Sequence, residues 1–146
     1  LLAEGDLERL AQHDREYISS LVVTGKEKRA LAVYADTAER IPGFRLELPD
    51  QIARLVALAA RLGQAQRAVA LAQDFETRFP DSPDLPQVVL TAATLLSERL
   101  GRDEEACNRL RALLRSHGQH PLAELARTQL SALEQVLASP AGRRDA

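Results

Sequence analysis

The chain has 146 residues, a formal net charge of -2 at pH 7 and only 3% aromatic residues. A chain of this length fits one domain and can bury a core of its own. Nucleic acid is not expected as a partner, because the balanced charge gives no basic field for phosphates and the scarce rings offer little surface for base stacking.

No apolar run approaches the roughly 18 residues that a membrane span needs, and the N-terminus lacks the features of a signal peptide. We therefore expect no membrane insertion by this segment. The chain contains no methionine, even at position 1, so we expect it to be a fragment or a processed product. Its one cysteine, Cys107, cannot form an intramolecular disulfide and does not indicate the compartment.

A repeat of 38 residues runs through the chain. It is marked by a glycine, by an alanine five residues later and, in the first two copies, by a proline twelve residues after the alanine. These positions are Gly25, Gly63 and Gly101, then Ala30, Ala68 and Ala106, then Pro42 and Pro80, with Gly118 at the third proline position.

Glycine ends helices cheaply in the left-handed conformation, and proline breaks a helix interior. Together with the apolar spacing, these breaks predict seven helices and no strand. The helices are predicted over about 6–23, 26–41, 45–62, 64–79, 83–100, 102–117 and 121–138.

The helices of each predicted pair differ in character. The first helices contain "IARLVALAARL" and "VVLTAATLL", which are apolar around most of the circumference and must be covered on several sides. The second helices are one-sided, and their recurring alanine predicts a close contact between helices. The last helix turns polar residues to one side, as a terminal cap does, and its apolar side is predicted to hold Leu122, Leu125, Ala126, Leu130, Leu133 and Leu137.

These elements predict an all-α fold: an α-solenoid of three antiparallel helix pairs and a C-terminal capping helix. We expect one domain over 1–146. The repeats are predicted at about 6–43, 44–81 and 82–119, the capping helix at about 121–138 and a short tail at 139–146.

Through "LGQAQRAVALAQDFETRFP" and "LGRDEEACNRL" the chain resembles the tetratricopeptide repeat (TPR) family over about residues 6–138. The resemblance implies a right-handed superhelix whose concave surface is lined by the first helices and holds peptides or partner proteins, without enzyme chemistry. The repeat is longer than the common 34-residue unit. It is similar to the elongated repeats of bacterial envelope proteins, which leaves bacterial cytoplasm and periplasm both open.

The resemblance places a partner-binding groove on the first helices. The candidate groove residues are Arg54, Ala57, Ala60, Arg61, Thr91, Leu95 and Glu98. Such a groove is shallow, partly apolar and of mixed charge, and it suits an amphipathic helix or an extended peptide that carries acidic residues. A further polar stripe lies on the first helix of the chain, at Gln12, Arg15, Glu16 and Ser19. The alternative for all these residues is an ordinary solvated face.

Few other residues are of chemically active types. His117, His120 and Cys107 are of metal-ligating types, but they lack paired-ligand spacing and are interpreted as a surface loop and a buried thiol. The acidic residues 103–105 open a helix, where they complement its positive end. We therefore predict no catalytic residue, no metal and no cofactor.

The sequence thus favours a noncatalytic scaffold that binds a protein or peptide partner and forms part of a larger protein. A monomer is favoured over a homodimer. Two alternatives stay open: a self-associating structural domain, and a regulatory domain of an enzyme whose catalytic part is absent from this chain.

Overall fold

A computed structural model describes residues 3–139. The helices are α1 (Glu4–Val23), α2 (Glu27–Arg40), α3 (Pro49–Arg61), α4 (Ala65–Leu71), α5 (Phe75–Arg78), α6 (Leu85–Glu98), α7 (Asp103–His117) and α8 (Ala123–Ala138). No strand occurs among these described residues, which confirms the predicted all-α class. The predicted tail, 139–146, lies outside the described residues except for Ser139.

Consecutive helices pack in pairs. Helix α1 packs against α2, α3 against α4, and α6 against α7, each across a short turn that makes the two helices antiparallel. The chain divides into two compact units, an N-terminal one that ends at Leu71 and a C-terminal one that begins at Ala72. Within them, α2 also packs on α3, and α7 on α8. The packing is that of an all-helical, repeat-like fold, and one continuous domain over 1–146 stays a prediction.

The repeat glycines end the first helix of each pair. All three have left-handed dihedrals, with φ of 81° at Gly25, 76° at Gly63 and 66° at Gly101. After the first two, the next amide closes the helix end: Lys26 N–H donates to the carbonyl of Leu21 at 2.7 Å, and Gln64 N–H to that of Ala59 at 2.9 Å. This closure needs a left-handed residue, so the repeat of glycine has a backbone cause.

The repeat alanines lie in the buried part of the helix pairs. Ala30, Ala68 and Ala106 are each 0% exposed, one on the second helix of each pair. A methyl side chain lets two helix axes approach where a longer side chain would hold them apart. The burial of the alanines agrees with the predicted contact between helices, which stays a prediction.

The fourth predicted helix, 64–79, is interrupted. Helix α4 ends at Leu71, and Asp74 takes a left-handed conformation with φ of 58° before α5 begins. Aspartate is among the few non-glycine residues that tolerate this region. The break turns Phe75 fully inward, with its ring 5.2 Å from that of Phe79. Prediction from apolar spacing missed the break because the spacing continues across it.

The third predicted helix begins later than expected, at Pro49 instead of residue 45. Proline suits the first turn of a helix, where its missing N–H loses no intrahelical bond. The residues before it are extended, so that Phe44 and Leu46 are buried while Arg45 and Glu47 are exposed. This extended segment, 44–48, contributes to the candidate site described below.

Helix α8 differs from its counterparts in the repeat. Three residues of α6 that are buried, Val89, Leu90 and Leu96, correspond after 38 residues to the exposed Arg127, Thr128 and Glu134. The buried side of α8 centres on Ala123 and Ala126. The prediction that Leu125 joins that side is wrong, since it lies about 100° around the helix from Ala126 and is 48% exposed.

Candidate binding site

Four of the candidate groove residues lie on α3 in the N-terminal unit. Arg54, Ala57 and Arg61 are exposed and Ala60 is half-buried, at spacings that place them on one side of the helix. The guanidinium of Arg54 lies 3.6 Å from the carboxylate of Glu27 on α2. An exposed pair of this kind is weak and exchangeable, so Arg54 is still accessible to a ligand.

The other three candidate groove residues lie on α6 in the C-terminal unit. Thr91 and Leu95 are half-buried, and Glu98 is exposed. Gln87 donates its side-chain amide hydrogen to the hydroxyl of Thr91 at 3.2 Å. Each set thus forms a stripe on its own helix, and the predicted groove that joins the two stripes stays a prediction.

A cleft in the N-terminal unit was not predicted as such. It has a volume of about 210 Å³ and lies between α1, the extended segment 44–48 and the start of α3. Its lining is Gln12, Arg15, Glu16, Ser19, Leu46, Glu47, Leu48 and Gln51. The lining includes the whole polar stripe predicted on the first helix but none of the seven candidate groove residues.

Arg15 holds the extended segment against α1. Its Nε donates to the backbone carbonyl of Arg45 at 2.8 Å, and its guanidinium carbon lies 5.3 Å from the ring centre of Phe44. The carboxylates of Glu8 and Glu47 lie 3.5 and 3.8 Å from the guanidinium. With its side chain 17% exposed and surrounded by these partners, Arg15 is a structural residue of the cleft wall.

Gln51 connects the start of α3 to α1. It is 9% exposed, and its Nε2 donates to the hydroxyl of Ser19 at 3.0 Å. At the mouth of the cleft, the carboxylate of Glu16 accepts one hydrogen bond, from Gln12 at 3.2 Å. The carboxylates of Glu16 and Glu47 therefore present hydrogen-bond acceptors to a ligand.

Sequence reasoning missed Leu46, Leu48 and Gln51 because it extended the third helix over the segment before Pro49. One signal was present in the sequence. Gln51 stands 38 residues before Val89, which is fully buried. A polar residue at a buried position of the repeat indicates a polar partner or a cavity.

The cysteine and the two histidines of metal-ligating type have structural surroundings. Cys107 is fully buried, and burial raises the pKa of its thiol because the thiolate loses hydration. His117 Nδ1 lies 2.7 Å from the hydroxyl of Ser116, and His120 Nδ1 accepts the N–H of Leu122 at 3.1 Å. Within residues 3–139, no group of three acidic, histidine or cysteine side chains is arranged to hold a metal ion.

The acidic residues 103–105 lie in the first turn of α7, as predicted. Asp103 accepts a hydrogen bond from the hydroxyl of Ser97 at 2.7 Å, and Glu105 pairs with Arg102 at 2.6 Å. These contacts are those of a helix start and its preceding turn, so the interpretation as first-turn acids agrees with the geometry.

A comparison of the chain with known protein families found no matching family, and a comparison with curated proteins found no significant relative. In the described part of the chain, no helix is both long and apolar enough to cross a membrane.

Proposed function

We propose that this chain is a noncatalytic, TPR-like scaffold that binds a peptide or protein partner along its first helices. The surface in question comprises the cleft between α1 and α3, the α3 stripe and, in the C-terminal unit, the α6 stripe. The resemblance in the repeat motif supports the proposal, since proteins with such repeats hold partners on the first helices.

The observation that carries the proposal is the location of the cleft. It lies between the first helices of two successive pairs, on residues from both, and it is bordered by Leu48, a leucine that is 48% exposed. An exposed apolar side chain beside a polar cleft is typical of a surface that buries part of a partner.

Selection from a random peptide library tests the proposal whatever the natural partner is. The displayed library is selected on the immobilised chain, and the enriched peptides are titrated calorimetrically. Loss of an arginine anchor commonly costs ~1–2 kcal/mol or more, so the double variant Arg54→Ala with Arg61→Ala should bind about tenfold more weakly.

The matched control is the double variant Arg29→Ala with Arg115→Ala. It removes the same charge from two second helices, α2 and α7. Both arginines are exposed and form no ion pair with the described residues. The control should bind like the unmodified chain. Failure to enrich any peptide, or equal affinity of the two double variants, would contradict the proposed surface.

Self-association is the second candidate, because α8 leaves apolar surface uncovered. Leu125 is 48% and Val136 is 49% exposed, and Leu130, Leu133 and Leu137 are only half-buried. Light scattering over a range of concentrations distinguishes the two candidates. A mass that doubles with concentration and returns to the monomer in Leu125→Glu with Val136→Glu would favour the structural role.

A further inference from the structure

We infer that the cleft between α1 and α3 receives a basic side chain of the partner, preferably arginine. This inference rests on the proposed function in one respect, that the ligand is a peptide. It goes beyond the α3 stripe, whose two arginines favour acidic residues of the partner, because it assigns a basic side chain of the partner to a defined place.

Size indicates the kind of ligand. The cleft volume is about 210 Å³, whereas sites for whole small molecules commonly have about 300–1,000 Å³. The space is therefore too small for most free ligands and suits one long side chain that enters from a peptide on the surface.

Charge indicates the sign of that side chain. The charged residues of the lining are Arg15, Glu16 and Glu47. The guanidinium of Arg15 is already in contact with a backbone carbonyl, with Glu8 and with Glu47, so its charge is compensated inside the protein. The carboxylate of Glu16 accepts a hydrogen bond from the uncharged amide of Gln12. The lining carries more negative than positive charge, which favours a cation.

Hydrogen bonding supports the same conclusion. The carboxylates of Glu16 and Glu47, on exposed side chains that line the cleft, accept hydrogen bonds and cannot donate them. Together the two carboxylates form a set of acceptors. Arginine carries five N–H donors and lysine three, and neither has an acceptor, so a basic side chain complements this set.

Apolar surface accounts for the preference for a long side chain. Leu46 and Leu48 form one wall of the cleft, and Leu48 is half-exposed at its rim. The aliphatic stem of an arginine or lysine can lie on these leucines while its charged end reaches the carboxylates. Arginine is preferred because its planar fork binds a carboxylate through two parallel hydrogen bonds.

The test uses two capped tripeptides, acetyl-Gly-Arg-Gly-amide and the same peptide with citrulline, which has nearly the shape of arginine but no charge. Each is titrated into the isotope-labelled chain, and amide chemical shifts are followed. The arginine peptide should shift the amides of Ser19, Leu48 and Gln51 and bind at least about tenfold more tightly than the citrulline peptide.

Variants assign the effect to the cleft. Glu16→Gln with Glu47→Gln should weaken binding of the arginine peptide about tenfold, whereas the equally charged control Glu4→Gln with Glu39→Gln should not change it. All four glutamates are exposed, so folding should persist, and a thermal melt checks this. Equal binding of both tripeptides, or shifts that avoid the cleft, would overturn the inference.

Further outcomes separate this inference from the proposed function. If peptides from the library bind to the stripes but the Glu16 and Glu47 changes leave their affinity unaltered, the inference fails and the proposed function stands. If the arginine tripeptide binds in the cleft but no library peptide is enriched, the inference holds for the side chain and the proposed function fails. Spermidine is a cation without a peptide backbone. If it binds as tightly as the arginine tripeptide, and through the same glutamates, the inference that the ligand is a peptide is overturned.

Discussion

Arg109 on α7 binds the carboxylate of Glu76 on α5 through two hydrogen bonds, of 2.6 and 3.2 Å, and also donates to the carbonyl of Ala72 at 3.0 Å. Because α4 ends at Leu71, the carbonyl of Ala72 lies outside the regular hydrogen bonding of the helix. A single guanidinium therefore satisfies both the broken backbone and the short helix that follows it.

We predict that Arg109→Met lowers the free energy of unfolding by ~1.5–3 kcal/mol, because it removes hydrogen bonds to a charged group whose side chain is only 29% exposed. Urea denaturation measures the loss. Arg115→Met, on the exposed side of the same helix, is the control and should have little effect. If the losses of unfolding free energy caused by Arg109→Met and Glu76→Gln are fully additive in a double-variant cycle, the two residues do not act together.

The repeat alanines provide a test of helix packing. Ala68→Leu and Ala106→Leu should each destabilise the chain by ~1–3 kcal/mol, since both positions are 0% exposed and overpacking forces the neighbouring helices to move. Ala70→Leu, on the exposed side of α4, is the matched control. Melting temperatures that fall equally in Ala68→Leu and Ala70→Leu would show that the alanine is not at a close contact.

The repeat glycines provide a test of backbone conformation. A Cβ at Gly63 would meet no atom within 4 Å, so Gly63→Ala tests the dihedral cost alone. With φ of 76°, we expect a loss of roughly 1–2 kcal/mol in unfolding free energy. Gly5→Ala lies inside α1, also without a close neighbour, and should be neutral or stabilising. The same sign of change at both positions would contradict this explanation.

Cys107 predicts a loss of stability at alkaline pH. Burial raises the pKa of its thiol in the folded chain above the value in the unfolded chain. The neutral thiol therefore makes its full contribution to the free energy of unfolding below the unfolded pKa. That contribution is lost as pH rises through the folded pKa. Burial likewise raises the pKa of Tyr34. Unfolding free energy should therefore fall on the alkaline side, and less steeply in Cys107→Ala, where the Tyr34 contribution remains. Parallel pH profiles for both chains would contradict this.

The positions of glycine and proline, together with the spacing of apolar residues, predicted most of the fold. The three repeat glycines have left-handed dihedrals, a conformation that admits few other residues, and the three repeat alanines are fully buried. The break at Asp74 was not predictable in this way, since apolar spacing runs through it and its stabilising partner, Arg109, lies more than thirty residues away.

The candidate site was only partly predictable for a related reason. Periodicity identified Gln12, Arg15, Glu16 and Ser19 as one stripe because it reports which residues share a side of a helix. It does not report what lies opposite that side. The cleft depends on the extended residues before Pro49, and their path is fixed by long-range contacts such as the hydrogen bond from Arg15 to the carbonyl of Arg45.

The central claim, that a partner binds along the first helices, is tested most directly by mapping amide chemical shifts in the complex with the tightest peptide from the library. We predict that the shifted amides concentrate on α1, α3 and the segment between Ile41 and Leu48, with further shifts on α6, and that the exposed sides of α2 and α7 stay unchanged. Shifts that concentrate on α2, α4 or α7 instead would contradict the claim and assign binding to the second helices.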